Sequence, residues 1–131
     1  MTIAIPTTIR VGRLYASILP ETGTNATCYA AEYEKIGNNP GVVYLRKYIN
    51  QSLCSNNGTV LGSYGIDLNP GQWLKIQAQG STIKVFIDGV ERISVIDVSI
   101  ASGKAGMAVH DNPALTAAGA LYWTNWQGGL P

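Results

Sequence analysis

Charge is scarce in this sequence. Asp, Glu, Lys and Arg make up 13% of its 131 residues, against roughly a quarter in ordinary soluble domains. The few charges nearly cancel, to +1, which excludes the dense positive surface that nucleic acid or an anionic membrane requires. Long apolar runs are missing as well, and without roughly 18 consecutive apolar residues no segment reads as a membrane span. Met1–Gly12 has no basic start followed by an apolar core, so it does not read as a secretory signal. Cysteine is limited to Cys28 and Cys54, too few for a disulfide framework or a thiolate zinc site. Whether these two pair stays open, because Cα atoms more than about 7 Å apart cannot be bridged without backbone movement. A single histidine, His110, has neither a nucleophile nor a second histidine nearby in sequence, which argues against a catalytic dyad or a zinc site.

What is present is β-strand patterning, clearest over Gln72–Val109. Leu74, Ile76 and Ala78 alternate with Lys75, Gln77 and Gln79, the period of a half-buried strand. A turn at Gly80-Ser81 leads into Ile83-Lys-Val-Phe-Ile87, and Asp88-Gly89 then separates that run from Val90–Val95. Asp-Gly between β-branched runs is a strong hairpin signal, since a type I′ turn needs positive φ at both central positions. Centring the turn there pairs Ile87 with Val90, Phe86 with Glu91 and Lys84 with Ile93. Ile83, Val85 and Ile87 then share one face, and Phe86, Ile93 and Val95 the other. Apolar residues on both faces predict a ribbon in the middle of a sheet, covered on each side.

Upstream, Thr2–Thr8 reads as an arm or edge segment, with Pro6 blunting ladder pairing. Ile9–Leu19 reads as a first strand, and Thr27–Lys35 and Val42–Ile49 as a hairpin about Gly37–Gly41. Centred on Asn39, that hairpin sets Glu34 against Tyr44, Glu32 against Arg46 and Ala30 against Tyr48. Val43, Leu45 and Ile49 join Ala31 and Tyr33 on the core face. Thr59–Gly62, Asp97–Ser102 and Gly103–Val109 read as further short strands, His110–Thr116 as a loop, and Ala117–Trp126 as a closing strand. Trp73, Trp123 and Trp126 are expected in the core or against a sheet edge, because Trp buries a large area. Many short strands, regular turns and almost no helical pattern predict one all-β domain over residues 1–131, a sandwich or barrel.

The ordered set Cys28-Tyr-Ala-Ala-Glu-Tyr33, Val43-Tyr-Leu-Arg-Lys47, Gly71-Gln-Trp-Leu-Lys-Ile76, Ile83-Lys-Val-Phe-Ile-Asp-Gly89 and Ser102-Gly-Lys-Ala-Gly-Met107 resembles the concanavalin A-like lectin and glucanase superfamily, especially its laminin-G-like members. The resemblance covers roughly residues 27–126. It implies an antiparallel jelly-roll β-sandwich with one concave sheet. This chain is short for that family and lacks some N-terminal strand material.

Glu32 and Glu34 form the one close carboxylate pair. At i and i+2 on a strand they lie about 6.8 Å apart, within the roughly 5–9.5 Å that glycosidases use. The glucanases of the resembled superfamily carry three acids at alternating positions, and here the third position is Ala30 or Ile36. That departure favours a structural ion pair of Glu32 with Arg46 over catalysis. Tyr44, Arg46 and Tyr48 share the outward face with Glu32, and two phenols flanking a guanidinium suit a sugar's mixed apolar and hydroxyl surface. Glu32, Tyr44, Arg46 and Tyr48 are therefore the candidate ligand-binding residues, set against ordinary β-propensity of Tyr on a wet face. His110-Asp111-Asn112 offers one carboxylate, thin for a calcium ion that takes 6–8 oxygens. No catalytic residue, metal or cofactor is expected. The three N-x-S/T triplets at Asn25, Asn50 and Asn57 carry little weight without an export signal.

The expected function is a non-enzymatic, lectin-like binding or surface-display module. Proteins of the resembled family usually work outside cells, whereas this chain starts at Met with no export signal. A phage virion protein, released by lysis, reconciles the two, as a capsid decoration or tail-associated subunit. Its partners would be neighbouring virion or surface proteins, host glycans and further copies of itself. The runner-up is a carbohydrate-binding domain of a larger secreted protein, and third comes a glycoside hydrolase using Glu32 and Glu34.

Overall fold

The computed structural model describes residues 10–20, 25–35, 39–52, 58–69 and 71–111. These form strands β1 (Arg10–Pro20), β2 (Asn25–Lys35), β3 (Val42–Ser52), β4 (Thr59–Gly65), β5 (Leu74–Gln79), β6 (Thr82–Ile87), β7 (Val90–Ile96) and β8 (Lys104–Asp111), with no helix among the described residues. Two antiparallel sheets result, a long one in the order β4-β3-β2-β1-β8 and a short one in the order β5-β6-β7. The expected N-terminal arm, Cys54, and the closing strand with Trp123 and Trp126 lie outside the described residues.

The two sheets share one core, as a sandwich does. Alternation on β6 sends Ile83, Val85 and Ile87 inward, where they meet Leu74 of β5 and Ile93 of β7. From the long sheet come Tyr29, Ala31 and Tyr33 of β2 and Val43 and Leu45 of β3. Burying such side chains is worth about 1.5–3 kcal/mol each, the dominant favourable contribution to the fold.

Expectations about both hairpins are corrected. Ile87 does pair with Val90 and Phe86 with Glu91, but Val85 then pairs with Ile93 and Lys84 with Ser94. Arg92 is the extra residue of a bulge, which bends and twists the strand. The bulge turns Ile93 and Val95 onto the same core face as Val85, and it sets the Arg92 guanidinium 4.8 Å from the Tyr64 ring centroid on β4. β7 is consequently largely exposed, with β6 as its one strand neighbour among the described residues. β2 is instead buried on both faces, every residue from Ala26 to Tyr33 being buried. In the β2–β3 hairpin, Glu34 faces Val42, Glu32 faces Tyr44, Ala30 faces Arg46 and Cys28 faces Tyr48. That register is displaced by two from the expected one, so every side chain keeps its face and changes its partner. Ile49, expected in the core, is half exposed where β3 runs past it, beside Asn50 in a positive-φ conformation.

Both crossovers between sheets among the described residues are tied down in the same way. Tyr33 and Tyr29, four residues apart on the inner face of β2, reach through the core and accept N–H groups of Leu68 and Ile100, each at 3.3 Å. Leu68 and Ile100 are the buried aliphatic side chains of the β4–β5 and β7–β8 connections. An aspartate beside each is held by a lysine of the long sheet, Asp67 by Lys35 at 2.6 Å and Asp97 by Lys47 at 2.7 Å. Asp97 also accepts from the Tyr29 hydroxyl at 2.7 Å and from Ser99 N–H at 2.8 Å.

Candidate functional site

Glu32, Tyr44, Arg46 and Tyr48 do come together on one face of the β2–β3 hairpin. Glu32 and Tyr44 are direct cross-strand neighbours, and Arg46 and Tyr48 follow at two-residue steps along β3. The Tyr48 hydroxyl donates to Glu32 Oε1. Arg46 Nε lies 3.1 Å from Glu32 Oε2, and the guanidinium carbon sits 4.6 Å from the Tyr44 ring centroid. The ion pair therefore forms diagonally, although Arg46 stands opposite Ala30.

The face is not the open, wet surface the alternation suggested. Glu32 and Tyr48 are both 0% exposed, and the Arg46 side chain is 13% exposed. Gly58 closes over the cluster. Its carbonyl accepts from Arg46 Nη1 at 3.4 Å, and a Cβ there would stand 2.7 Å from the Tyr48 ring. A buried carboxylate needs its charge answered; the Tyr48 hydroxyl bonds Oε1 and the Arg46 guanidinium sets the opposite charge beside Oε2. Glu34, two residues on, lies half-buried toward the strand end. The two carboxylates thus have unlike surroundings, and one of them is engaged in holding β2 to β3. Cys28 is fully buried on the same strand.

The other sequence candidates separate. His110 and Asp111, expected in a loop, continue β8 opposite Val11 and Arg10, while Asn112 lies outside the described residues. Among the described residues no group of three or more His, Cys, Asp or Glu could hold a metal ion. Trp73 is 47% exposed just ahead of β5 rather than in the core. Its backbone is clamped by Asp88, which accepts Trp73 N–H at 2.9 Å and the Gln72 side chain at 2.7 Å. Those bonds, the Trp73 N–H first, hold the Asp88 carboxyl below its ordinary range.

One polar surface carries no site expectation from the residues. The outer face of the short sheet contains a depression of about 350 Å³ lined by Gln77, Gln79, Thr82 and Lys84. Its signal was the strict alternation of Lys75, Gln77 and Gln79, which reads only as solvent exposure until a depression is found beneath it. The chain matches no family model, no curated protein and no solved structure. The site rests on its own geometry.

Proposed function

We propose that this chain is a non-catalytic β-sandwich module, of the jelly-roll type that the concanavalin A-like resemblance implies. In this reading it acts by contact with neighbouring proteins on a larger assembly, a virion surface in the first instance, with glycans as a second class of partner. The observation that carries it is Glu32. A carboxylate buried at 0% exposure and engaged by Tyr48 and Arg46 holds the fold together and is poorly placed to protonate or attack a glycosidic bond. The adjacency of β1 and β8, the first and last described strands, in the long sheet supports the jelly-roll reading. Ile96 and Val98, 79% and 81% exposed, support the contact role. They flank Asp97, whose side chain is anchored inward, so both are held facing solvent without the ordering cost of a mobile loop.

The test is assembly. Co-expressed with the genes flanking its own, the chain is expected to co-sediment with particles, and Ile96→Asp with Val98→Asp is expected to abolish this while leaving the chain folded. A chain that stays off every particle and hydrolyses a β-glucan, with activity lost in Glu32→Gln and Glu34→Gln, would refute the reading.

A further inference from the structure

We propose that the open edge of β7 pairs with the β7 of a second copy of this chain, antiparallel and about a two-fold axis at Val95. The inference rests on the contact reading and names the partner for the surface that Ile96 and Val98 mark. Among the described residues β7 has a strand neighbour on one side only, and Glu91, Arg92, Ser94 and Ile96 are exposed along it. The direction of its backbone groups follows from one bond. Asp97 N–H donates to the Ser81 carbonyl at 2.9 Å, in the same register that pairs Thr82 with Ile96 and Lys84 with Ser94. Bonded and non-bonded pairs alternate along an antiparallel ladder. Ser94 and Ile96 therefore stand in non-bonded pairs, and each turns its N–H and C=O away from β6. Such a row of backbone donors and acceptors selects an extended strand, which offers both at the matching spacing.

The edge is its own complement. A two-fold axis at Val95 sets Ser94 opposite Ile96 of the second copy and Ile96 opposite its Ser94, and each pair exchanges both N–H···O=C bonds. The two Val95 side chains, partly exposed on the core face, then face each other across the axis, and Ile96 meets its own copy diagonally on the outer face. No like charges meet. Glu91 falls opposite Ser99 and Arg92 opposite Val98, while Asp97 is already paired with Lys47. Two other open edges, β5 and β4, are poorer templates. β5 carries Lys75, a residue type that discourages strand addition, and β4 is interrupted by a bulge and holds Gly62 and Gly65. β7 has neither Lys nor Pro, and its bulge at Arg92 leaves residues 93–96 in regular register. An edge this short buries far less than the roughly 1,200 Å² of a stable interface. Pairing is therefore weak between free chains and strong where copies are held close together, as on a larger assembly.

The experiment is sedimentation equilibrium from about 10 μM to about 1 mM, the range of weak association, with amide hydrogen exchange measured at both ends. A monomer–dimer equilibrium is expected, with the Ser94 and Ile96 N–H groups at least tenfold better protected at the high end. Ser94→Pro removes only an outward donor, which an edge strand tolerates, and is expected to weaken the dimer at least tenfold. Ser94→Lys, which brings like charges together across the axis, is the second variant and carries the same expectation. Gln79→Lys, a lysine placed on the β5 edge instead, should leave the dimer unchanged. Monomer throughout the range, a dimer indifferent to both Ser94 variants, one equally weakened by Gln79→Lys, or protection on another strand would each overturn the pairing. Protection of Ser94 and Ile96 on particles alone would give the edge to a strand of a different protein and overturn the second copy. A chain that dimerises through β7 yet stays off every particle would keep the pairing and remove the assembly reading, and a monomer that co-sediments would do the reverse, so the two fail separately.

Discussion

Replacing Asp97 tests how the sheets are held together. Its carboxylate accepts from the Tyr29 hydroxyl, Lys47 Nζ and Ser99 N–H at 2.7, 2.7 and 2.8 Å, and so links β2, β3 and the β7–β8 crossover. The Asp97 and Lys47 side chains are only 13% and 19% exposed, so water replaces the lost contacts only in part. A hydrogen bond to a charged group contributes about 1.5–3 kcal/mol, and three that share one acceptor do not add fully. Asp97→Ala is therefore expected to cost about 3–4 kcal/mol, and Asp97→Asn, which keeps one acceptor oxygen but loses the charge, about 1–2 kcal/mol. For a domain of this size the alanine variant corresponds to a fall in Tm of roughly 10–15 °C.

The pH dependence has a definite sign. Burial alone would raise the Asp97 carboxyl, but hydrogen bonds from Lys47, Tyr29 and Ser99 outweigh it and hold the group well below its ordinary 3.8. As the pH falls the unfolded chain takes up the proton first. The stabilisation is thus complete above the ordinary value and is lost as the pH drops toward the folded one. Burial, and then the bond to Asp97, push the Tyr29 phenol from 10.0 up to about 12. Here the unfolded chain loses its proton first, so this contribution is complete below pH 10 and is lost as the pH rises toward 12. Urea unfolding followed by tryptophan fluorescence at several pH values reads both limbs. Asp97→Asn should flatten the acid limb. An Asp97→Ala variant within about 0.5 kcal/mol of the parent, the scatter of ordinary surface substitutions, would refute the reasoning.

Two further predictions use the same assay. Glu32→Ala should cost about 3–5 kcal/mol, because it strands a largely buried guanidinium, while Tyr48→Phe should cost about 1–2 kcal/mol for one lost hydrogen bond to a charged acceptor; a neutral Glu32→Ala would mean that the cluster is solvated and open to ligand. Gly41→Ala should cost about 1–3 kcal/mol by overpacking, since its Cβ would stand 2.5 Å from the Ile66 carbonyl oxygen and 2.6 Å from the Tyr33 hydroxyl. Gly65→Ala, with nothing within 4 Å of its added Cβ, is the matched control, and equal effects at the two positions would dismiss the steric account.

Local chemistry made part of this molecule readable. Gly80-Ser81 and Asp88-Gly89 form turns where their backbone freedom predicts, with Asp88 itself at a φ of +50°. Leu74, Ile83, Val85 and Ile87 face the core as alternation requires, because period-2 geometry is a property of each strand alone. The gathering of Glu32, Tyr44, Arg46 and Tyr48 on one face followed from the same rule, and it survived a two-residue error in register because such a slip changes partners but not faces.

Alternation cannot report what covers a face, since that depends on segments distant in the chain. Glu32 and Tyr48, which looked solvated, are buried, while the ribbon expected at the centre ends in the exposed strand β7. The bulge at Arg92 moved Ile93 and Val95 to the core side, and no local signal marks it, because one extra residue is tolerated wherever the sheets pack better for it. Asp97 and Tyr29 lie 68 residues apart, and nothing in the sequence beside either foretells their bond. Strand faces and turns follow from short-range stereochemistry, whereas burial, register and cross-sheet bonds arise only when the two sheets meet.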